Sequence, residues 1–239
     1  MWHAAPDRAG LPEARAACLE LLDAGERERL DRFRFEADAL AYLAAHALLR
    51  SALSQVAPVH PGNWRFRRRP GGRPEVEAPA RHRHLSFSLS HTRGRVAVAV
   101  ANGGDVGIDV ELAEGEGRLR TSLKRLFAPS EVEAIESGPP SQRERRTLEF
   151  WTLKEAFLKA SGTGLTAELD EVAFQFGGDR VAKLTMPYRG EDPDHWFFGC
   201  FSASDVHPVA LAIRRPPGAE VQVQVREASA LPLGRPAPV

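Results

Sequence analysis

The sequence predicts an α+β fold in two similar halves, each an antiparallel sheet packed against helices. Three observations lead there. Valine-rich strand candidates are joined by short turns, Thr92-Arg93-Gly94 and Asn102-Gly103-Gly104, which favour antiparallel neighbours over the long crossovers of a parallel sheet. Helical stretches gather before and after these strands instead of alternating with each one. The hairpin pattern of residues 85–90 and 96–100 also returns in residues 197–202 and 209–213. The halves are drawn at 1–106 and 107–227, with 228–239 set apart as a Pro-rich tail expected to be disordered.

Taken in order, Pro12 opens a first helix over 13–22, as proline suits the first helical position. Asp23 with Glu26 three residues on is a capping box that starts a short second helix ending near Phe33. Leu40, Leu43, Ala44, Ala47 and Leu48 fall at helical spacing, predicting a buried helix over 36–53. Residues 64–67 alternate as a strand and 70–74 form a loop. Strands follow at 85–90, 96–100 and 106–111 and are read as a meander. Helices are predicted at 118–127, at 130–135 with Ser130 boxed by Glu133, and at 141–161 with Ser141 boxed by Glu144 and Gly162 as terminator. The remainder reads as strands at 172–176, 181–185, 196–202, 209–213 and 221–226.

The chain is long enough to bury a core, and its 32 basic and 32 acidic residues balance. That balance argues against a whole-molecule field built for nucleic acid or acidic membranes. No segment reaches membrane-spanning length, and the first residues lack an apolar signal region. Cys18 and Cys200 are too few for a disulfide framework, so a cytoplasmic protein is expected.

Chemistry concentrates in three places. In Gly107-Ile108-Asp109-Val110-Glu111, period two puts both carboxylates on one strand face, where like charges call for a cation between them. The same pattern also suits the solvated side of an edge strand, and spacing alone does not choose. In Trp151-Thr152-Leu153-Lys154-Glu155-Ala156-Phe157-Leu158-Lys159, Glu155 and Lys159 share a helical face with Leu148 and Trp151. An ordinary surface ion pair has that spacing too, worth about 0.3–0.5 kcal/mol. A third carboxylate brought to Asp109 and Glu111 would make an oxygen-only site suited to Mg²⁺, and no His or Cys cluster with zinc spacing competes. The third place is basic: Arg65, Arg67, Arg68, Arg69, Arg73, Arg81 and Arg83 surround His82 and His84. It suits phosphate or a solvated face better than nucleic acid, since no aromatic stacking platform is interleaved. Ser90-His91 closes a strand at a glycine turn, offering a hydroxyl, an imidazole and backbone amides to a phosphate.

Gly72-Arg73-Pro74, Phe87-Ser88-Leu89-Ser90-His91, Gly107-Ile108-Asp109-Val110-Glu111 and the segment from Trp151 to Lys159, in this order, resemble the Sfp-type 4′-phosphopantetheinyl transferases. The Trp-x-x-Lys-Glu-Ala form resembles the subgroup serving polyketide and nonribosomal peptide synthases. The resemblance implies a pseudo-dimer in one chain, working as a monomer. It implies coenzyme A as co-substrate, a serine of an apo acyl or peptidyl carrier protein as acceptor, and release of 3′,5′-ADP. Mg²⁺, with Mn²⁺ as alternative, would be held by Asp109, Glu111 and Glu155. Glu155, itself or through a bound water, would take the serine proton, and Lys159 would stabilise the leaving phosphate. Arg73, Ser90, His91 and Arg29 would grip the nucleotide, with Lys159 also on the phosphates. Glu26 stands where the family often has lysine. Two alternatives are a non-catalytic coenzyme-A- or carrier-binding module of the same fold, and a metal-dependent nuclease or phosphohydrolase. No acidic ligand or lysine is lost as the first would require, and the Glu-x-Lys strand arrangement of such nucleases is not present around Asp109.

Overall fold

A computed structural model describes residues 1–68, 73–113, 123–163, 169–177, 181–186 and 190–234. The predicted residues 118–122, Gly72 and Arg69 lie outside them. The chain divides into two units, Met1–Gly103 with Val223–Val239, and Gly104–Gln222.

In unit one, β1 (Trp2–Ala4) precedes helices α1 (Pro12–Leu21), α2 (Ala24–Leu30) and α3 (Glu36–Val56). A separate hairpin of β2 (Arg65–Arg68) and β3 (Pro74–Ala78) follows, then β4 (Leu85–Thr92) and β5 (Arg95–Asn102). Pro12 does open α1, and the Asp23–Glu26 box closes in both directions at 2.9 and 3.0 Å. The alanine- and leucine-rich face of α3 lies in the core with Phe87, Val96 and Val98.

Unit two begins with β6 (Val106–Val110), followed by helices α4 (Leu123–Leu126), α5 (Pro129–Glu136) and α6 (Pro140–Ser161). Strands β7 (Ala173–Phe176), β8 (Val181–Met186), β9 (Trp196–Ser204) and β10 (His207–Arg214) complete it. Phe157 and Phe198 from α6 and β9 meet Phe174 and Trp196 in an aromatic core with ring centroids 4.8–6.3 Å apart.

The two units are alike in topology. Unit one has the sheet order β11-β1-β5-β4 and unit two β6-β10-β9-β8-β7, where β11 is Arg226–Glu227. In each, a first strand pairs antiparallel with the second strand of the repeated hairpin, and one long helix packs on that sheet.

Four expectations need correction. β6 does not extend the β4–β5 meander but pairs with β10 in the other unit. A glycine turn permits reversal without dictating a partner, and here Gly104, at φ +72, crosses so close to β10 that a Cβ would lie 2.2 Å from the Arg214 carbonyl. The capping boxes at Ser130 and Ser141 do not form, because Pro129 and Pro140 start their helices first. The Glu131 side chain instead accepts from the Ala128 amide at 2.9 Å. The strand expected at 221–226 shrinks to β11, which runs parallel to β1. Finally, residues 223–234 belong with unit one: Ala228 and Leu231 are in its core, and Gln55 donates to the Gly234 carbonyl at 2.6 Å. Apolar side chains spaced among prolines gave that packing no periodic signal. Among the described residues no helix is long and apolar enough to cross a membrane.

Among the described glycines of unit two the closest approach is at Gly107, where a Cβ would sit 1.9 Å from the Ala156 carbonyl oxygen and 2.7 Å from the Ala160 amide nitrogen. Both obstacles are backbone and cannot rotate away. Gly107→Ala should therefore destabilise the protein by about 3 kcal/mol or more, a fall of roughly 6–12 °C in thermal midpoint. Gly138→Ala, whose Cβ would meet nothing nearer than 3.8 Å, should stay within about 0.5 kcal/mol. Equal midpoints for the two variants would contradict the close contact.

Candidate functional site

Gly107 and Asp109 share one face of β6 by the period of two, Glu111 follows one residue past its end with its amide on the Pro208 carbonyl, and the Gly107 contact shows that this is the face toward α6. The bare glycine lets α6 lie against the strand, with Ala156 and Ala160 fully buried at the junction. One turn of helix away, Lys159 donates to Asp109 Oδ1 at 2.6 Å and to the Ile108 carbonyl at 3.1 Å. Farther toward the N-terminus of α6, the Trp151 indole donates to Glu111 Oε1 at 3.1 Å. Helix and strand thus run antiparallel, and the helical row Trp151, Glu155, Lys159 faces the strand row Glu111, Asp109.

Although β6 is an edge strand, it is not the solvated edge that spacing also permitted. Asp109 is 4% exposed. Burial, and after it the charge of Asp109, pushes Glu155 above the usual carboxylate range, while Lys159 pulls it back. Burial and then Asp109 push Glu111 up as well, offset by the Trp151 hydrogen bond and by Lys159. Glu155 Oε1 is buried without a hydrogen-bond partner among the described residues.

Asp109, Glu111, Glu155 and Lys159 therefore occupy one patch of unit two. The three carboxylates are electrostatic neighbours rather than a closed ligand cage, because no three His, Cys, Asp or Glu side chains among the described residues converge as a metal cluster. Lys159 covers one acid and Trp151 holds another. The residues nonetheless fit a hard divalent cation, being all-oxygen donors with a buried Glu155 oxygen unpartnered among the described residues and with Lys159 set against the three acids.

Arg29, Arg73, Ser90 and His91 all lie in unit one. Arg29 is exposed on α2 with its guanidinium carbon 5.7 Å from the Tyr42 ring centre. Arg73 is half-buried just ahead of β3. Ser90 is buried and His91 exposed, but neither closes the strand: β4 runs on to Thr92, and the two pair with Ala97 and Val96 inside the ladder. Both residues thus stand in a strand ladder and not at its closing turn, a correction to the sequence reading.

Sequence reasoning missed the roles of Gly107, Trp151 and Lys154. Trp151 had a signal, since it precedes Glu155 by four and so shares its face. Gly107 had one too, at two residues before Asp109. Lys154 had none, because its partners Glu131, Leu169 and Val172 are distant in sequence.

The model of the 4′-phosphopantetheinyl transferase superfamily matches residues 105–213, and that of the 4′-phosphopantetheinyl transferase N-terminal region matches 11–103. The chain is 33% identical over 163 residues to the 4′-phosphopantetheinyl transferase HetI of Nostoc sp., covering 68% of each. It is 28% identical over 196 residues to a 4′-phosphopantetheinyl transferase of Bacillus subtilis, covering 82% of this chain and 83% of that one. The holo-(acyl-carrier-protein) synthase of Bacillus anthracis, solved in complex with CoA (3′,5′-ADP), matches 47% of this chain and 96% of its own at 19% identity. Its TM-score of 0.39 is too low to bear on the fold.

Since the Lys159 ammonium sits where a cation would meet Asp109, Lys159→Met should bind Mn²⁺ more tightly than the unsubstituted protein, by about tenfold. A Mn²⁺ titration followed by electron paramagnetic resonance without nucleotide reads this directly, and unchanged or weaker binding would show that the lysine does not compete.

Proposed function

We propose that this chain, which belongs to the 4′-phosphopantetheinyl transferase superfamily, transfers the 4′-phosphopantetheine group of coenzyme A to a serine hydroxyl of an apo carrier protein. The observation that carries the reading is the gathering of Asp109, Glu111, Glu155 and Lys159 at one helix–strand contact inside the segment matched by the superfamily model.

In the reaction the serine oxygen bonds to the β-phosphorus of coenzyme A, the bond from that phosphorus to the bridging oxygen breaks, and 3′,5′-ADP leaves. Glu155 takes the serine proton, a role supported by a pKa raised through burial, which makes its carboxylate a better base than an exposed one. Lys159 steadies the negative charge that grows on the departing phosphate. Asp109, Glu111 and Glu155 would hold Mg²⁺, with Mn²⁺ as substitute, and the bound ion supplies charge neutralisation for the pyrophosphate. Trp151 keeps Glu111 turned toward the site by its indole hydrogen bond. Arg29, Arg73, Ser90 and His91 are assigned to the nucleotide part of coenzyme A. The acceptors are acyl, polyketide or peptidyl carriers, and the enzyme works as a monomer. The free thiols of Cys18 and Cys200 support a cytoplasmic setting.

Incubation with coenzyme A and Mg²⁺ should raise the mass of an apo carrier by one phosphopantetheine, and chelation of the metal should stop the gain. A panel of apo carriers from fatty-acid, polyketide and peptide pathways that shows no gain would end the transferase reading. Glu155→Gln should lower the transfer rate by roughly 10²–10⁴-fold with an unchanged circular dichroism spectrum. Full activity in that variant would remove Glu155 as base.

A further inference from the structure

The other flank of α6 carries a pair of charges with no part in that chemistry. Lys154 and Glu131 are both 0% exposed, with Nζ 2.7 Å from Oε2. Lys154 also donates to the Leu169 carbonyl at 2.7 Å and to the Val172 carbonyl. Glu131 in turn accepts from the Ala128 amide at 2.9 Å and from the Phe174 amide at 2.9 Å. The pair therefore joins α6 to the start of α5, to the short 3-10 turn Leu169–Glu171, and to β7.

Stability is a poor reason for such an arrangement. Burial pushes Lys154 down and Glu131 up, and each is pulled back by its partner, Glu131 also by the backbone amides it accepts from. Replacing a buried pair by uncharged groups of like volume is often neutral or stabilising. Position is a better reason. Lys154 immediately precedes Glu155, and successive helical residues point about 100° apart. On the side of β6, the contact of Gly107 with Ala156 and Ala160 sets how near α6 comes, yet small surfaces leave rotation about the helix axis loosely defined. The Lys154 ammonium is gripped by three oxygens away from that contact and removes this freedom. At a side-chain radius of about 5–6 Å, a 10° roll moves a carboxylate by about 1 Å. A displacement of that size is worth on the order of 10²-fold in rate.

We propose that Lys154 and Glu131 are positioning residues that set the rotation of α6, so that Glu155 and Lys159 face Asp109. The proposal rests on the assignment of Glu155 and Lys159 to the transfer site.

Three variants test it: Glu131→Gln, Lys154→Met and the two combined. The combined variant carries no unpaired buried charge but leaves the Leu169 and Val172 carbonyls without a donor, so its thermal midpoint should fall, though by less than that of Lys154→Met alone. Its kcat should fall about 10- to 100-fold, with KM for coenzyme A changed by less than about threefold. Its Mn²⁺ affinity, titrated without substrates, should weaken about tenfold. Normal kcat and normal Mn²⁺ affinity in the combined variant would overturn the proposal, as would losses that simply track thermal midpoint across the series. Should the combined variant not fold, Glu131→Gln decides by the same measurements, and full kcat there overturns it. If the unsubstituted protein transfers nothing to any carrier, the functional reading fails instead, while the Mn²⁺ arm still tests the clamp.

Discussion

Gly107 is the constraint on which unit two depends. A side chain there would collide with helix backbone at 1.9 Å, so its absence sets the distance between β6 and α6. Everything at the site is measured from that contact. The four steps along the strand from Gly107 to Glu111 extend about 13 Å, and the nine steps along the helix from Ala160 back to Trp151 extend about 13.5 Å. The two elements run antiparallel, so Lys159 meets Asp109 toward one end of the contact and the long Trp151 side chain meets Glu111 toward the other. A larger residue at position 107 would lift the whole helical row from the strand row, leaving each local segment unchanged and the site dispersed.

The two faces of α6 treat charge in opposite ways. On the outer flank, Lys154 and Glu131 neutralise each other and saturate their hydrogen bonds with backbone groups, as a buried pair must. On the flank toward β6, three acids meet one lysine, two glutamates are pushed toward protonation, and a buried Glu155 oxygen is unpartnered among the described residues. A satisfied pair can hold a helix in place, whereas an unsatisfied cluster suits the cation and phosphate group of the proposed reaction. The contrast separates the neighbours Lys154 and Glu155 into a member of a satisfied pair and a carboxylate with an oxygen unpartnered among the described residues.

Unit one has its own buried ionic network, and it explains a residue that the family resemblance made odd. Glu26 is not a misplaced surface position. It completes the Asp23 capping box, accepts from Arg50 at 2.6 Å and meets His46 at 2.8 Å. Arg50 is wholly buried and also donates to the Trp64 carbonyl at 2.8 Å. With the acid so engaged, α2 is locked onto α3 and Arg29 is left on the exposed side of α2.

What the sequence determined by itself was local. Period two put Asp109 and Glu111 on one face, period 3.6 put Glu155 and Lys159 on another, and the Asp23 box and Gly162 marked helix ends that the structure keeps. The repeated hairpin was legible because a strand pair joined by a tight turn is nearly a local object. Tertiary structure alone decided which sheet β6 joins, that residues 228–234 pack onto unit one, and that Glu131 finds Lys154 rather than solvent. Each of those depends on partners separated by many residues, and neither periodicity nor capping chemistry reaches that far. The same holds for the site. Its carboxylates were readable as faces, but that the faces meet follows from a glycine whose significance is a distance between backbones.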